Sequence, residues 1–154
     1  MNKLLGTLLI LAVAQNVMAG DVGIGLRMSH YDEIQAETIG LDLTFELEEA
    51  FRLNPNIEYF LVDDAEIVMV NLDVLYDFRP EEKVNPYVGG GIGVALLTVD
   101  DPILLLFGGT DEVANAVAGV EFTTGAVKPY FRAKYSWFWE ASNGDVSIAA
   151  GVRF

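Results

Sequence analysis

The sequence predicts an all-β chain of eight antiparallel strands in up-and-down order, closed into a transmembrane β-barrel. Three observations carry that expectation. First, apolar and polar residues alternate singly: Ile39, Leu41, Leu43, Phe45 and Leu47 interleave with Thr38, Gly40, Asp42, Thr44 and Glu46. A strand sends successive side chains to opposite faces and segregates these two sets, whereas a helix would scatter the charges around its apolar stripe. Second, mean hydropathy is positive, yet beyond the amino-terminal segment no window is a continuous apolar stretch long enough for a membrane helix. Apolar residues spread by alternation are what a barrel needs. Third, the chain closes on Val146, Ile148, Ala150, Val152 and Phe154, with Ser147, Ala149, Gly151 and Arg153 between them. An apolar face backed by a small or polar one suits a strand with lipid outside and a polar lumen inside.

The amino-terminus reads as an export segment. Lys3 supplies a positive start, Leu4 to Ala14 an apolar run too short to span a bilayer, and Val17-Met18-Ala19 a small-residue cleavage site before Gly20. Ala12-Val13-Ala14 is a second candidate site. Residues 1–19 are therefore expected to be removed, leaving residues 20–154 as one barrel domain. The formal net charge of −14 excludes a nucleic-acid binder, which needs a basic surface. With no cysteine, a thiol nucleophile, thiolate metal sites and disulfides are all excluded.

The first strand is expected over Asp21–Ser29, with Val22, Ile24, Leu26 and Met28 outside and Arg27 inside. Thr38–Leu47 is the second. The third covers about Asn56–Leu61. The fourth covers Glu66–Phe78, with Met69, Asn71, Asp73 and Asp77 facing inward. The fifth, Tyr87–Leu97, sets Val88, Ile92, Val94 and Leu96 against Gly89, Gly91, Gly93 and Ala95. The sixth, Ala114–Phe122, is Ala-rich and weaker. The seventh, Tyr130–Trp139, places Phe131, Ala133, Tyr135, Trp137 and Trp139 outside, against Arg132, Lys134 and Ser136. Val146–Phe154 closes the barrel.

Three Pro-containing segments, Leu53–Asn56, Val84–Tyr87 and Val127–Tyr130, each precede a strand. Proline is tolerated at a strand's first residue. Read as periplasmic turns, they number the three that eight strands need. The outer loops are then 31–37, 62–65, 98–113 and 140–144, of which only the third is long. Aromatics fall into two interfacial girdles: Phe45, Tyr76, Phe78, Phe122, Phe131 and Phe154 at the periplasmic ends, and Tyr31, Trp137 and Trp139 at the outer ends.

The secretion signal, the Asn85-Pro86-Tyr87-Val88-Gly89-Gly90-Gly91-Ile92-Gly93-Val94 run and the terminal Phe154 resemble the small OmpA/OmpX-like outer-membrane β-barrel superfamily. The resemblance covers the whole mature chain by pattern more than by motif. It implies an eight-stranded barrel in the outer membrane of a Gram-negative bacterium, reached through the periplasm. It also implies that Phe154 belongs to a C-terminal assembly signal read by the barrel-assembly machinery. It implies no shared activity, because such barrels serve as anchors, adhesins, lipid-modifying enzymes and small channels.

Inward positions assemble a charged lumen of Arg27, Arg132, Lys134 and Arg153 against Asp42, Glu46, Glu58, Asp73, Asp77 and Glu121. Eight strands leave an interior just wide enough for side chains, and buried charges must be paired. A salt-bridged plug follows. The competing reading is a gated polar passage, with Gly89, Gly91 and Gly93 leaving space there; these glycines equally suit room for the arginines opposite, or the strong curvature of a small barrel.

His30, the one histidine, stands where the first strand meets its loop. A lipid A-modifying enzyme would need a serine and a carboxylate within its reach. Ser29 points to the opposite face, which leaves Ser136 and Ser142. The acidic loop groups Asp63, Asp64, Glu66, Asp100, Asp101, Asp111 and Glu112 match no EF-hand spacing, and loose divalent bridging to lipopolysaccharide suits them better than a dedicated metal site. Ile103, Leu104, Leu105, Leu106 and Phe107 form an apolar run in the third outer loop, out of place in water and marked as a contact for lipid, the barrel mouth or a partner. The expected function is a monomeric outer-membrane protein in structural or surface-interaction work, with no cofactor, metal or catalytic residue. The runner-up is a narrow, OmpW-like channel for small hydrophobic or ionic solutes.

Overall fold

A computed structural model describes residues 22–63, 66–98 and 110–154. The export segment, Asp64, Asp100, Asp101 and the apolar run 103–107 lie outside the described residues. Eight strands follow one another: β1 (Val22–Tyr31), β2 (Ala36–Glu48), β3 (Phe51–Leu61), β4 (Glu66–Asp77), β5 (Val84–Thr98), β6 (Thr110–Phe122), β7 (Lys128–Phe138) and β8 (Asn143–Arg153). Every neighbouring pair is antiparallel, and β8 returns to β1, so the sheet is a closed barrel. Leu26 faces Leu41 on one side and Val152 on the other. The last residue completes the seam: Phe154 donates its N–H to the Ile24 carbonyl at 2.8 Å and accepts from Ile24 N at 3.2 Å. Among the described residues closure gives every strand two neighbours, which is the condition for placing strands in hydrocarbon.

The period-two pattern maps onto the two faces of the wall. Ile92 and Ile148 are 68% and 67% exposed on the outside, amid a continuous apolar surface that includes Leu26, Met28, Leu41, Val70, Leu72 and Val88. A protein in water rarely exposes apolar patches beyond a few hundred Å². With charged groups inside and aliphatic groups outside, this wall is built to meet lipid. Near the end carrying the C-terminus, Tyr76 packs edge-on against both Phe51 and Phe78, each at 5.2 Å between ring centroids.

Three expectations need correction. Val84–Tyr87 and Lys128–Tyr130 are not turns but the first residues of β5 and β7, and the chain reverses at 78–83 and 123–127 instead. Leu53–Asn56 is not a turn: β3 begins at Phe51, the chain reverses at Glu49-Ala50, and Pro55 sits mid-strand opposite Leu72 of β4. The cost of a proline there falls on the β2 side. The register places Leu43 opposite Pro55, which has no N–H to offer, and the pairing is interrupted between Asp42↔Asn56 and Phe45↔Leu53. Asn54 repairs the gap by donating its side-chain amide to the Leu43 carbonyl at 2.7 Å. Tyr31, expected in the outer girdle, is instead fully buried in the lumen, because it shares the inward face of β1 with Arg27 and Ser29.

Asn54→Ala should therefore strand the Leu43 carbonyl together with the groups Asn54 holds inside the barrel. It is expected to lower stability by about 2 kcal/mol, read as a shift in the urea midpoint of the chain folded in vesicles.

Candidate functional site

The lumen is the candidate site, and strands from all around the barrel supply it. Among the described residues five cations are buried there, Arg27, Arg52, Arg132, Lys134 and Arg153, against Asp42, Glu58, Asp73, Asp77 and Glu121, while a sixth buried carboxylate, Asp145, lies nearer the loop end. Nearest the C-terminal end, Arg52 of β3 bonds Asp77 of β4 at 2.5 Å and Glu121 of β6 at 3.3 Å. Arg153 of β8 bonds the same Glu121. Asn85 donates to Asp77 at 2.7 Å.

In the middle layer Arg132 of β7 reaches across to Asn54 of β3 at 2.9 Å and to the Tyr87 hydroxyl at 3.3 Å. Asp42 of β2 accepts from Arg27 and from the Tyr130 hydroxyl. Glu58 of β3 is the hub of the next layer. It pairs with Arg27 at 2.7 Å and with Lys134, and accepts from Tyr31 at 3.0 Å and from Thr38 at 3.4 Å. Asp73 is held by amides, Asn56 at 3.0 Å and Asn115 at 3.3 Å, and Asn115 also bonds Asn71 and Ser136. Charges removed from water persist when paired and hydrogen-bonded in this way.

Beyond that network, toward the loop end, the lumen turns apolar. Tyr31, Ala36, Phe60, Met69 and Val113 form a buried cluster against which Val62, Ile67, Ala95 and Phe138 pack. Charged and apolar layers therefore fill the barrel in series.

The sequence-predicted lumen residues Arg27, Asp42, Glu58, Asp73, Asp77, Glu121, Arg132, Lys134 and Arg153 are all brought into this interior. Glu46 is not. It keeps its register opposite Arg52, and lies at the open C-terminal mouth beside Arg52, Glu121 and Arg153, where it is exposed. Arg52, Asn54, Asn56 and Asn115 are lumen residues absent from the set expected from sequence. The alternation Arg52-x-Asn54-x-Asn56-x-Glu58 is the signal for the first three, hidden when Pro55 is read as a turn.

Gly89, Gly91 and Gly93 do not leave open space, and they do not accommodate the arginines. Added Cβ atoms there would strike Leu75, Asp73 and Asn71 of β4, the residues directly opposite. Space for the long side chains comes from other glycines: Arg27 lies over Gly40, and the rings of Tyr87 and Tyr130 lie over their partners Gly119 and Gly151. An aromatic ring covering a cross-strand glycine pins register. Those rings also carry cations on their faces, with Arg132 5.5 Å from the Tyr130 centroid and Arg52 5.3 Å from that of Tyr87.

His30 sits on the outside of the wall, its Nδ1 2.8 Å from Glu37 Oε1, the residue opposite on β2. Ser29 and Ser136 are buried inside, the latter on Asn115, and Ser142 bonds the Trp139 carbonyl within its own turn. Among the described residues the histidine–carboxylate pair has no serine hydrogen-bonded to it. The acidic loop residue Asp111 braces backbone: its carboxylate accepts Glu140 N at 2.8 Å and Ala141 N at 3.1 Å, fixing the β7–β8 turn. Asp145, which the sequence pattern does not single out, does the same for Glu33 N and Ile34 N. Among the described residues no group of three His, Asp or Glu is placed to hold a metal.

No protein-family model matches the chain, and no curated protein matches it either. Solved structures do. The N-terminal β-barrel domain of Pseudomonas aeruginosa OprF is 18% identical, with a TM-score of 0.66 over 86% of this chain and 96% of that one. Neisserial surface protein A is 14% identical, with a TM-score of 0.64 over 86% and 94%. The outer-membrane enzyme PagL is 16% identical, with a TM-score of 0.59 over 86% and 98%. At these identities the likeness is one of fold: the chain has the fold of the small eight-stranded outer-membrane barrels, the group it resembles by sequence pattern.

Proposed function

We propose that the chain is an integral outer-membrane protein with a closed lumen, working as a structural or surface-contacting element and not as a pore. The observation that carries this reading is the interior: among the described residues five cations and five carboxylates are buried in one network, a sixth buried carboxylate, Asp145, braces a turn at the loop end, and a buried apolar cluster lies beyond the network. An ion crossing such a barrel would have to separate buried pairs and then enter a dry segment, each costing several kcal/mol. Of the two supports for a narrow channel, space along the glycine face of β5 is taken up by β4 atoms, and the apolar run 103–107 lies outside the described residues.

The likeness to outer-membrane barrels and the apolar outer wall support placement in that membrane of a Gram-negative bacterium, with the C-terminal end in the periplasm. Its partners are then outer-membrane lipids and lipopolysaccharide, and during biogenesis the barrel-assembly machinery, engaged through the strand ending at Phe154. A non-enzymatic role is favoured by the position of His30, which faces outward from a wall whose neighbouring Ser29 faces inward.

The chain refolded in detergent should show a heat-modifiable band at monomer size and stay electrically silent in a planar bilayer. Discrete, reproducible current steps that change in Arg132→Ala would overturn the closed-lumen reading in favour of the channel.

A further inference from the structure

At the loop end the barrel does not finish flush with its apolar layer. A cavity of about 360 Å³ opens above it, in the size range of sites for small organic ligands. Its floor is Phe60, Ile67, Ala95 and Phe138, the same side chains that seal the lumen below. Ile34 from the β1–β2 turn forms part of its wall. Among the described residues the cavity is thus a dead end, apolar at the bottom, open at the top and separated from the ion-pair network.

The charge around it is one-sided. Glu33, Asp111, Glu140 and Asp145 all line it, and no lysine or arginine is among its described lining residues. Asp111 and Asp145 are committed to backbone N–H groups of the turns bearing Glu140 and Glu33. Those contacts hold the turns in place, so Glu33 and Glu140 are carried to the rim by anchored backbone. An apolar, aromatic-floored hollow beneath four carboxylates has a negative potential focused at its mouth by low-dielectric walls.

We propose that this cavity is a binding site for a small amphiphilic cation: a compact apolar body with a single ammonium group. The apolar body occupies the floor, and the ammonium sits level with Glu33 and Glu140. A neutral hydrophobic molecule would gain the floor but not the rim. An anion would be repelled.

The chain is reconstituted in nanodiscs of zwitterionic phosphatidylcholine, so that the bilayer itself does not concentrate cations. Benzyltrimethylammonium is titrated by calorimetry beside its neutral isostere neopentylbenzene and the anion phenylacetate. Saturable one-to-one binding of the ammonium compound is expected, with the isostere at least about tenfold weaker and phenylacetate inert. The combined Glu33→Gln and Glu140→Gln variant should weaken binding by about tenfold and flatten its salt dependence. Ala95→Phe, which fills the floor, should abolish binding.

Heat-modifiable mobility of each variant separates a lost site from a lost fold, and the glutamine variant retains every apolar contact. Equal binding of the isostere, binding unchanged in the glutamine variant, or no saturable binding of the ammonium probe would each overturn the proposal. None of these bears on the conductance measurement, so the site and the closed lumen stand or fall separately.

Discussion

Replacing Glu58 by leucine is expected to lower the unfolding free energy of the barrel by about 3–5 kcal/mol, the range for breaking a buried ion pair from one side. Glu58 is fully buried and is the shared acceptor for Arg27, Lys134, Tyr31 and Thr38. Arg27 keeps Asp42 after the substitution, and the Tyr31 and Thr38 hydroxyls are neutral. Lys134 pairs with no second carboxylate among the described residues, so most of the loss falls there. Adding Lys134→Met should recover a large part of the stability, because removing both partners avoids the uncompensated charge. The measurement is a urea titration in vesicles followed by tryptophan fluorescence, with the double variant expected to lie above the single one. If the double variant is as unstable as the sum of the two single ones, Lys134 and Glu58 are not the coupled pair that the geometry shows.

The wall of this barrel is readable in the sequence because a strand's two faces are separated by a period of two. Arg132 and Lys134 interleave with Phe131, Ala133 and Tyr135, and that pattern alone assigns inside and outside. It fails where something interrupts or ends the alternation. Pro55 reads as a turn because proline lacks an N–H, but Asn54 supplies the missing donor, a remedy visible only once β2 lies alongside. Reading 53–56 as a turn then removes Arg52 from view. Glu46 follows the alternation correctly and faces the mouth of the lumen beside Arg52, but it sits so near the strand end that it stays exposed. Tyr31 looks like a girdle residue by type, a ring near an interface, although its parity with Arg27 and Ser29 places it inside.

Membership of the lumen is therefore largely legible, but its wiring is not. Arg132 on β7 meets Asn54 on β3, and Arg153 on β8 meets Glu121 on β6. Such pairs depend on strand tilt and stagger around a closed barrel, quantities that no single strand encodes. Asp111 and Asp145 show the same limit in the loops. Acidic charge in a loop suggests metal or lipid, whereas the oxygens of these two accept backbone N–H groups of neighbouring turns. Short-range patterns report which face a residue occupies; long-range geometry decides what it touches.

Gly91→Val is expected to cost about 3 kcal/mol, the upper part of the usual range for forcing extra methyl groups into a filled interior. Gly91 lies opposite Asp73, and a Cβ at position 91 would press on the Leu72 carbonyl and on Asp73 at both its side chain and its Cα. Backbone atoms cannot swing aside as a side-chain tip can. Moving Asp73 would also disturb its bonds to Asn56 and Asn115, which connect β3, β4 and β6. Gly90, one residue earlier and on the outer face, is the control. An added Cβ there meets only the Asn115 carbonyl, at 3.0 Å, so Gly90→Ala is expected to cost less than about 1 kcal/mol. The comparison, by urea midpoint in vesicles, also bears on function. A glycine face kept for passage would accept valine with little loss and respond in conductance. A glycine face kept for close packing of β4 against β5 resists it, and the barrel fails by unfolding while remaining electrically silent.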